Sequence, residues 1–306
     1  MFMRTIEIIY GNLLGDGSIR SDKSKYFTFQ VVGKDKSFLE WIKKLFNDSK
    51  IKCWISRNKF NLFLLGFYIN SCPFSNFISL RENWYKQENG KTQKIVPKDL
   101  KLTPKILLFW FLGDGSLIRR KNDENRVPPI VLATNSFLKE DVDFLIQKLK
   151  DLNLNFYPVR YKSGFTGKEC GYCLYSNTQD GTPFRFFKLI GLDCPKEITN
   201  CSTGNKGRYG EEKFFKDKWP TEEDWNKILS NMKEIANILK EKRKRLGLTQ
   251  REVAKLVGIT REHVRDIENG RRCASVHIFR KILKALNLDI TYSLKRLNKN
   301  TYKIGG

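Results

Sequence analysis

The pentapeptide Leu-Gly-Asp-Gly-Ser occurs twice in this chain, at residues 14–18 and 112–116, each time closing a stretch that is almost wholly apolar. The surrounding segments read Tyr10-Gly-Asn-Leu-Leu-Gly-Asp-Gly-Ser-Ile-Arg20 and Trp110-Phe-Leu-Gly-Asp-Gly-Ser-Leu-Ile-Arg-Arg120. The segments beyond the two copies also match in kind: an extended polar and aromatic run, then an amphipathic helix at residues 36–46 in the first and 137–152 in the second. A unit of about 100 residues that cannot cover its apolar helix alone is expected to pack on its copy about a pseudo-twofold axis, leading helices at the centre. One Gly-Asp-Gly after a helix is an ordinary turn. Its recurrence at the head of both units marks a site.

The leading helices, residues 6–14 and 104–112, are apolar on nearly every side, as suits helices buried all round. Gly11 and Gly15 lie at i and i+4 and strip one face of side chains, and Gly113 does so once on the partner, so the two backbones can approach closely. That packing brings Asp16 and Asp114 together at one end of the axis. Two carboxylates at short range call for a divalent cation between them, and hard oxygen ligands select Mg²⁺, with Mn²⁺ able to substitute. Such a centre can polarise a phosphoryl oxygen and activate water.

The charge balance agrees. Fifty-seven Lys and Arg against 33 Asp and Glu give +24, enough to imply a polyanionic partner. The basic residues are interleaved with Tyr, Phe, Asn and Gln rather than gathered on one amphipathic helix, which favours nucleic acid over a membrane surface. The apolar run at 106–112 is too short to span a bilayer and the N-terminus lacks a signal-peptide layout, so the expectation is a soluble, cytoplasmic protein.

At these residues the chain resembles the LAGLIDADG homing endonucleases of the two-motif monomeric kind, over about residues 5–200. The resemblance implies an α+β fold of two pseudo-symmetric αββαββα units, 1–100 and 101–200, with saddle-shaped sheets along the major groove. It also implies metal bound by Asp16 and Asp114 and by the carbonyls of Gly15 and Gly113. A basic residue is expected at the rim of each active site: Lys94 in the first half, and Lys196 in the second, with Lys188 competing. Phe109 stands where the motif has a small residue, so asymmetric helix packing is expected, and Leu14 and Leu112 replace the motif's first acid without removing a metal ligand. The chain lacks the splicing residues of inteins and reads as free-standing.

Residues 226–306 carry 20 Lys and Arg against 7 Asp and Glu. Within them, residues 246–270 read as helix, turn, helix: Thr249 caps the first, Gly258-Ile259 turns, and Thr260 caps the second, with Ala254, Ile259, Val264 and Ile267 as the core between them. This stretch resembles the Cro/C1-type helix-turn-helix, which implies five short helices over about 232–288, within a domain at 226–290 followed by a basic tail at 291–306. By that match Gln250 touches phosphate or assists base contacts. The helix capped by Thr260 enters the major groove, presenting Arg261, Glu262 and Asp266 to base edges and Arg265 to the backbone. The segment 201–225 is expected to be a linker whose Phe214-Phe-Lys-Asp-Lys-Trp219 docks on one domain.

Cys170, Cys173, Cys194 and Cys201 could in principle ligate zinc, but Cys173 reads as a strand residue at 171–176, and seven cysteines in all point to reduced thiols. The sequence as a whole therefore reads as a Mg²⁺-dependent, site-specific double-strand DNA endonuclease. A non-catalytic transcription regulator and an intron RNA maturase are the alternatives. Lys25, Gln30, Arg57, Asn58, Arg160 and Lys162 are candidate base readers. The polar runs after the motifs differ, Lys23, Lys25, Tyr26, Thr28 and Gln30 against Arg119, Arg120, Lys121 and Asn122, which predicts a monomer on a long asymmetric site.

Overall fold

Both repeats fold into the same order of elements. The computed structural model describes residues 2–21, 27–48, 51–61, 64–71, 76–88, 90–119, 126–162, 169–206, 210–230, 233–270 and 274–288. Lys23, Lys25, Tyr26, Arg120, Lys121, Asn122 and the tail 291–306 lie outside the described residues, as do the side chains of Arg57, Asn58, Lys162 and Cys170.

The first repeat runs α1 (Phe2–Leu14), β1 (Gly17–Ser21), β2 (Phe27–Gly33), α2 (Lys36–Asn47), β3 (Cys53–Asn61), β4 (Leu64–Ser71) and α3 (Asn76–Trp84), followed by the ribbon β5 (Tyr85–Glu88) and β6 (Lys91–Lys94). The second runs α4 (Pro104–Asp114), β7 (Gly115–Leu117), β8 (Ile130–Ala133), α5 (Lys139–Asp151), β9 (Phe156–Lys162), β10 (Glu169–Ser176) and α6 (Thr182–Ile190). A 3-10 turn (Lys196–Ile198), the ribbon β11 (Ser202–Lys206) and β12 (Glu212–Phe214), and a second 3-10 turn (Phe215–Lys218) come next. The two four-stranded sheets share one topology, β1-β2-β4-β3 and β7-β8-β10-β9, all pairs antiparallel. Each repeat is thus an αββαββα unit.

Local chemistry sets these boundaries. Asp35 caps α2 by accepting from the amides of Ser37 and Phe38, and Thr103 caps α4 ahead of Pro104, which fits a helix start because its missing N–H is not needed there. Along α2, Phe38, Leu39, Ile42 and Phe46 fall on one buried stripe. They meet the side of the first sheet that carries Ile19, Phe29 and Val31, where the Phe29 ring lies 5.6 Å from Phe46 and 6.5 Å from Phe77. The other side of the sheet sets Ser18 opposite Gln30 and Arg20 opposite Thr28, with Trp54 on the Gln30 rung 46% exposed.

The described residues of the expected linker are folded instead. The chain divides into two compact units, and Arg185–Trp219 belongs with Met1–Leu117 and Ile130–Ser176 in the first. Apolar burial decides this: Phe215 stacks on Phe38 at 4.4 Å, Trp219 packs edge-on to Phe111 at 5.5 Å, and the Ser202 amide donates to the Asp35 carboxylate at 2.6 Å.

The second unit joins Pro220 onward to two stretches of the second repeat, Ile118–Pro129 and Asn177–Phe184. Its helices are α7 (Glu222–Ser230), α8 (Lys233–Arg245), α9 (Gln250–Val257), α10 (Arg261–Glu268) and α11 (Val276–Ala285), so α7 precedes the expected span and, among the described residues, four helices lie within 232–288. Val253, Ala254, Val257, Val264, Ile267, Phe279 and Leu283 form its core, with Ile259 partly buried against them; Phe184 belongs to the same cluster. Asp224, its side chain 5% exposed, accepts from Arg119 at 2.7 Å and from the Thr221 amide at 2.9 Å. No described helix is long and apolar enough to cross a membrane.

Candidate active site

Helices α1 and α4 pack directly on each other, and glycines set how closely. A β-carbon built on Gly11 would fall 2.6 Å from both the Ile106 carbonyl oxygen and the Phe109 Cβ. Phe109 therefore fills the space that Gly11 leaves, which is the asymmetric packing expected from Phe109 in the second motif. Further along, Gly15 and Gly113 face each other, and a β-carbon on either would meet the other's Cα at 3.4 Å. This contact places the next residues, Asp16 and Asp114, at the same end of the helix pair. Asp16 is open to solvent and Asp114 is half-buried.

Two lysines flank the aspartates. Lys94, the last residue of β6, donates from Nζ to the carbonyls of Leu13, Gly15 and Gly17 at 2.9, 3.2 and 2.9 Å. Lys218, the last residue of the second 3-10 turn, donates to the carbonyls of Phe111, Leu112 and Gly113 at 3.2, 2.6 and 3.1 Å. Each lysine thus closes the C-terminal end of one motif helix, where unpaired carbonyls carry partial negative charge.

The electrostatics reflect this crowding. Desolvation, then the charge of Asp16, raises the Asp114 carboxyl to about 7 despite both lysines. Desolvation also raises Asp16, which Lys218 and Lys94 oppose. Burial lowers Lys94 and Lys218 to about 8, each held up by both aspartates. Among the described residues no hydrogen-bond donor reaches either carboxylate, so both keep their lone pairs for another electrophile. An all-oxygen donor set of two carboxylates, with carbonyls of Gly15 and Gly113 that each retain a second lone pair, fits a hard divalent cation.

Lys196 and Lys188 do not enter this cluster. Lys196 is exposed in its 3-10 turn, and Lys188 sits partly buried in α6. The position opposite Lys94 is filled by Lys218, which sequence reasoning missed. The loop separation misled it: Lys94 lies 79 residues beyond the glycine it holds and Lys218 lies 105 beyond its own. The available signal was the context, Lys94-Ile-Val-Pro97 against Lys218-Trp-Pro220, a lysine followed by apolar residues and proline after a β-ribbon.

Among the described residues no group of three or more His, Cys, Asp or Glu is arranged to hold a metal. Cys173 is buried in β10, and burial pushes the thiols of Cys194 and Cys201 up to about 11, away from the thiolate form zinc needs.

In the second unit, Thr249 and Glu252 form a reciprocal capping box on α9, Gly258 ends it at φ 78°, and Thr260 caps α10 by accepting from the His263 amide. Arg261, Glu262 and Arg265 are exposed on α10. Arg265 pairs with Asp266 at 3.4 Å, and Gln250 donates to Glu268 at 2.9 Å. Glu268 is itself held by the Arg243 guanidinium through two bonds of 2.6 and 3.1 Å, so the start of α9 is tied to the end of α10.

The profile of the LAGLIDADG DNA endonuclease family matches residues 6–184, and a helix-turn-helix profile matches residues 239–293. A probable intron-encoded endonuclease of Wickerhamomyces canadensis is 31% identical over 157 residues, 49% of this chain and 64% of that protein. A cytochrome b mRNA maturase bI2 of Debaryomyces hansenii is 27% identical over 172 residues, 52% of this chain and 60% of that protein. The chain thus spans less than two thirds of these curated relatives. The solved structure of the homing endonuclease I-WcaI bound to its DNA recognition sequence is 26% identical, with a TM-score of 0.49, covering 61% of this chain and 80% of that one.

Proposed function

Because the chain belongs to the LAGLIDADG DNA endonuclease family, we propose that it hydrolyses both strands of duplex DNA at a long, asymmetric site, acting as a monomer. The observation that carries this reading is the pair Asp16 and Asp114, brought to one end of two glycine-packed helices and flanked symmetrically by Lys94 and Lys218. Asp16 and Asp114, with the carbonyls of Gly15 and Gly113, would hold Mg²⁺ or Mn²⁺. Bound there, the cation supplies Lewis acidity toward a phosphoryl oxygen and lowers the pKa of coordinated water.

The chain's own residues do the rest. The lysines keep the carbonyl ends of both motif helices in place and offset the negative charge that gathers when both carboxylates ionise. A net charge of +24 draws the duplex in, and the helix-turn-helix, exposing Arg261, Glu262 and Arg265, adds a second reading head. The test is incubation of the full chain and Mg²⁺ with a plasmid library carrying random inserts, then sequencing of cut ends. Recovery of one long, non-palindromic sequence supports the reading, and an uncut library sinks it.

The similarity to mRNA maturases favours a second reading, in which the same fold binds an intron RNA. Under it, Asp16→Asn and Asp114→Asn would leave the biological role intact. A non-catalytic regulator has no use for either aspartate, and both are present.

A further inference from the structure

The open faces of the two sheets carry different chemistry. In the first sheet, the rung beside Asp16 holds Ser18, Gln30 and Trp54, and Arg20 faces Thr28 next to it. In the second sheet, the rung beside Asp114 crosses from Ser116 to Val131, to Tyr175, to Tyr157, and the neighbouring rung holds Ala133, Cys173 and Val159. The two rungs are equivalent, because Ser18 and Ser116 each stand two residues past their aspartate.

The regular alternation of β9 puts Tyr161 on the side of Tyr157, and these rings are 42% and 50% exposed. Tyr157 and Tyr175 pack at 6.3 Å between centroids. Arg160, a candidate base reader from the sequence, falls on the other side with the buried Phe156. Among the described residues the open face of the second sheet therefore carries no charged side chain, whereas that of the first carries Arg20, Thr28 and Gln30.

In the major groove, Gln matches the N6 and N7 edge of adenine and Arg the O6 and N7 edge of guanine, while apolar groups find their partner in the C5 methyl of thymine. We propose that the two halves of the DNA site are read by different chemistry. Arg20, Thr28 and Gln30 hydrogen-bond base edges on one side of the cut. Val159, Tyr157, Tyr161 and Tyr175 contact thymine methyl groups on the other. This rests on the reading that duplex DNA lies along the sheets.

The full chain is used to enrich binding sites from a randomised duplex library in Ca²⁺, and the winning duplex is then remade with each thymine replaced in turn by uracil. Where a methyl group is contacted, its loss weakens binding about fourfold. These positions fall in one half-site, and Tyr157→Ala removes the penalty there. Gln30→Ala relaxes base preference in the opposite half-site without changing the uracil effect. Uracil tolerated everywhere, or uracil-sensitive positions in the half-site that Gln30→Ala relaxes, would overturn the inference while leaving the endonuclease reading intact. If the library yields no preferred duplex and single-stranded RNA binds instead, the tyrosines are base-stacking platforms and both readings fail together.

Discussion

Lys218 donates a hydrogen bond to the carbonyl oxygen of Gly113 at 3.1 Å, from a segment that lies beyond the whole second repeat and its ribbon. The contact mirrors Lys94 on Gly15, so the two should fail alike. Lys218→Met and Lys94→Met are each expected to lower the cleavage rate about 100-fold, the scale for losing one placed donor at an active site. Lys196→Ala should leave the rate unchanged. Single-turnover cleavage of a cognate duplex measures all three, and an active Lys218→Met would assign the second lysine elsewhere.

Asp16→Asn and Asp114→Asn should each abolish double-strand cleavage while preserving duplex affinity, since each removes a carboxylate from the candidate metal centre without disturbing the sheets. Binding in Ca²⁺ and cleavage in Mg²⁺, measured on the same preparations, separate the two effects. Full cleavage by either variant excludes the paired site.

Without divalent metal, the cluster gives stability a particular pH dependence. Asp114 titrates at 3.8 when unfolded and about 7 when folded. The folded chain then holds a proton that the unfolded chain has lost, and stability falls as pH rises between those values. Lys94 and Lys218 titrate at 10.5 unfolded and about 8 folded, so the unfolded chain holds the extra protons there and stability rises again across that window. Urea midpoints against pH in EDTA should show the first slope reduced in Asp114→Asn and the second in Lys218→Met.

The helix-turn-helix unit is not a removable appendage. Asp224 anchors Arg119 and caps α7, and Phe184 lies in the unit's apolar core beside Trp225. Asp224→Ala should cost about 2 kcal/mol, the scale of a buried hydrogen bond to a charged group. A chain ending at Trp219 leaves Phe184 uncovered, and should melt earlier than the whole chain as well as bind DNA with a shallower salt dependence. An unchanged melting temperature for the shortened chain would show that residues 118–129 and 177–184 fold without the helices.

At Gly11 the fit is tight on backbone as well as side chain. Gly11→Val would drive methyl groups into the Ile106 carbonyl and Phe109, and is expected to destabilise by about 3 kcal/mol, the upper end for overpacking. Circular dichroism melts check this, and a neutral outcome would mean that the helix pair can slide apart.

The sequence alone determined what depends on local pattern. Asp16 and Asp114 stood out because the same five residues close two apolar helices, and a helix stripe such as Phe38, Leu39, Ile42 and Phe46 announces its buried face through spacing. Thr249, Gly258 and Thr260 marked the helix-turn-helix for the same reason, since caps and turns satisfy backbone groups within a few residues. Only the tertiary structure decided which lysine faces Lys94, because a ribbon and turns of arbitrary length intervene between Gly113 and Lys218. It alone decided, too, that residues 201–219 are body rather than linker, and that residues 118–129 and 177–184 go with the helical unit. Those outcomes rest on where Phe215, Trp219 and Phe184 find apolar surface to cover, and burial depends on neighbours in space, not on neighbours in the chain.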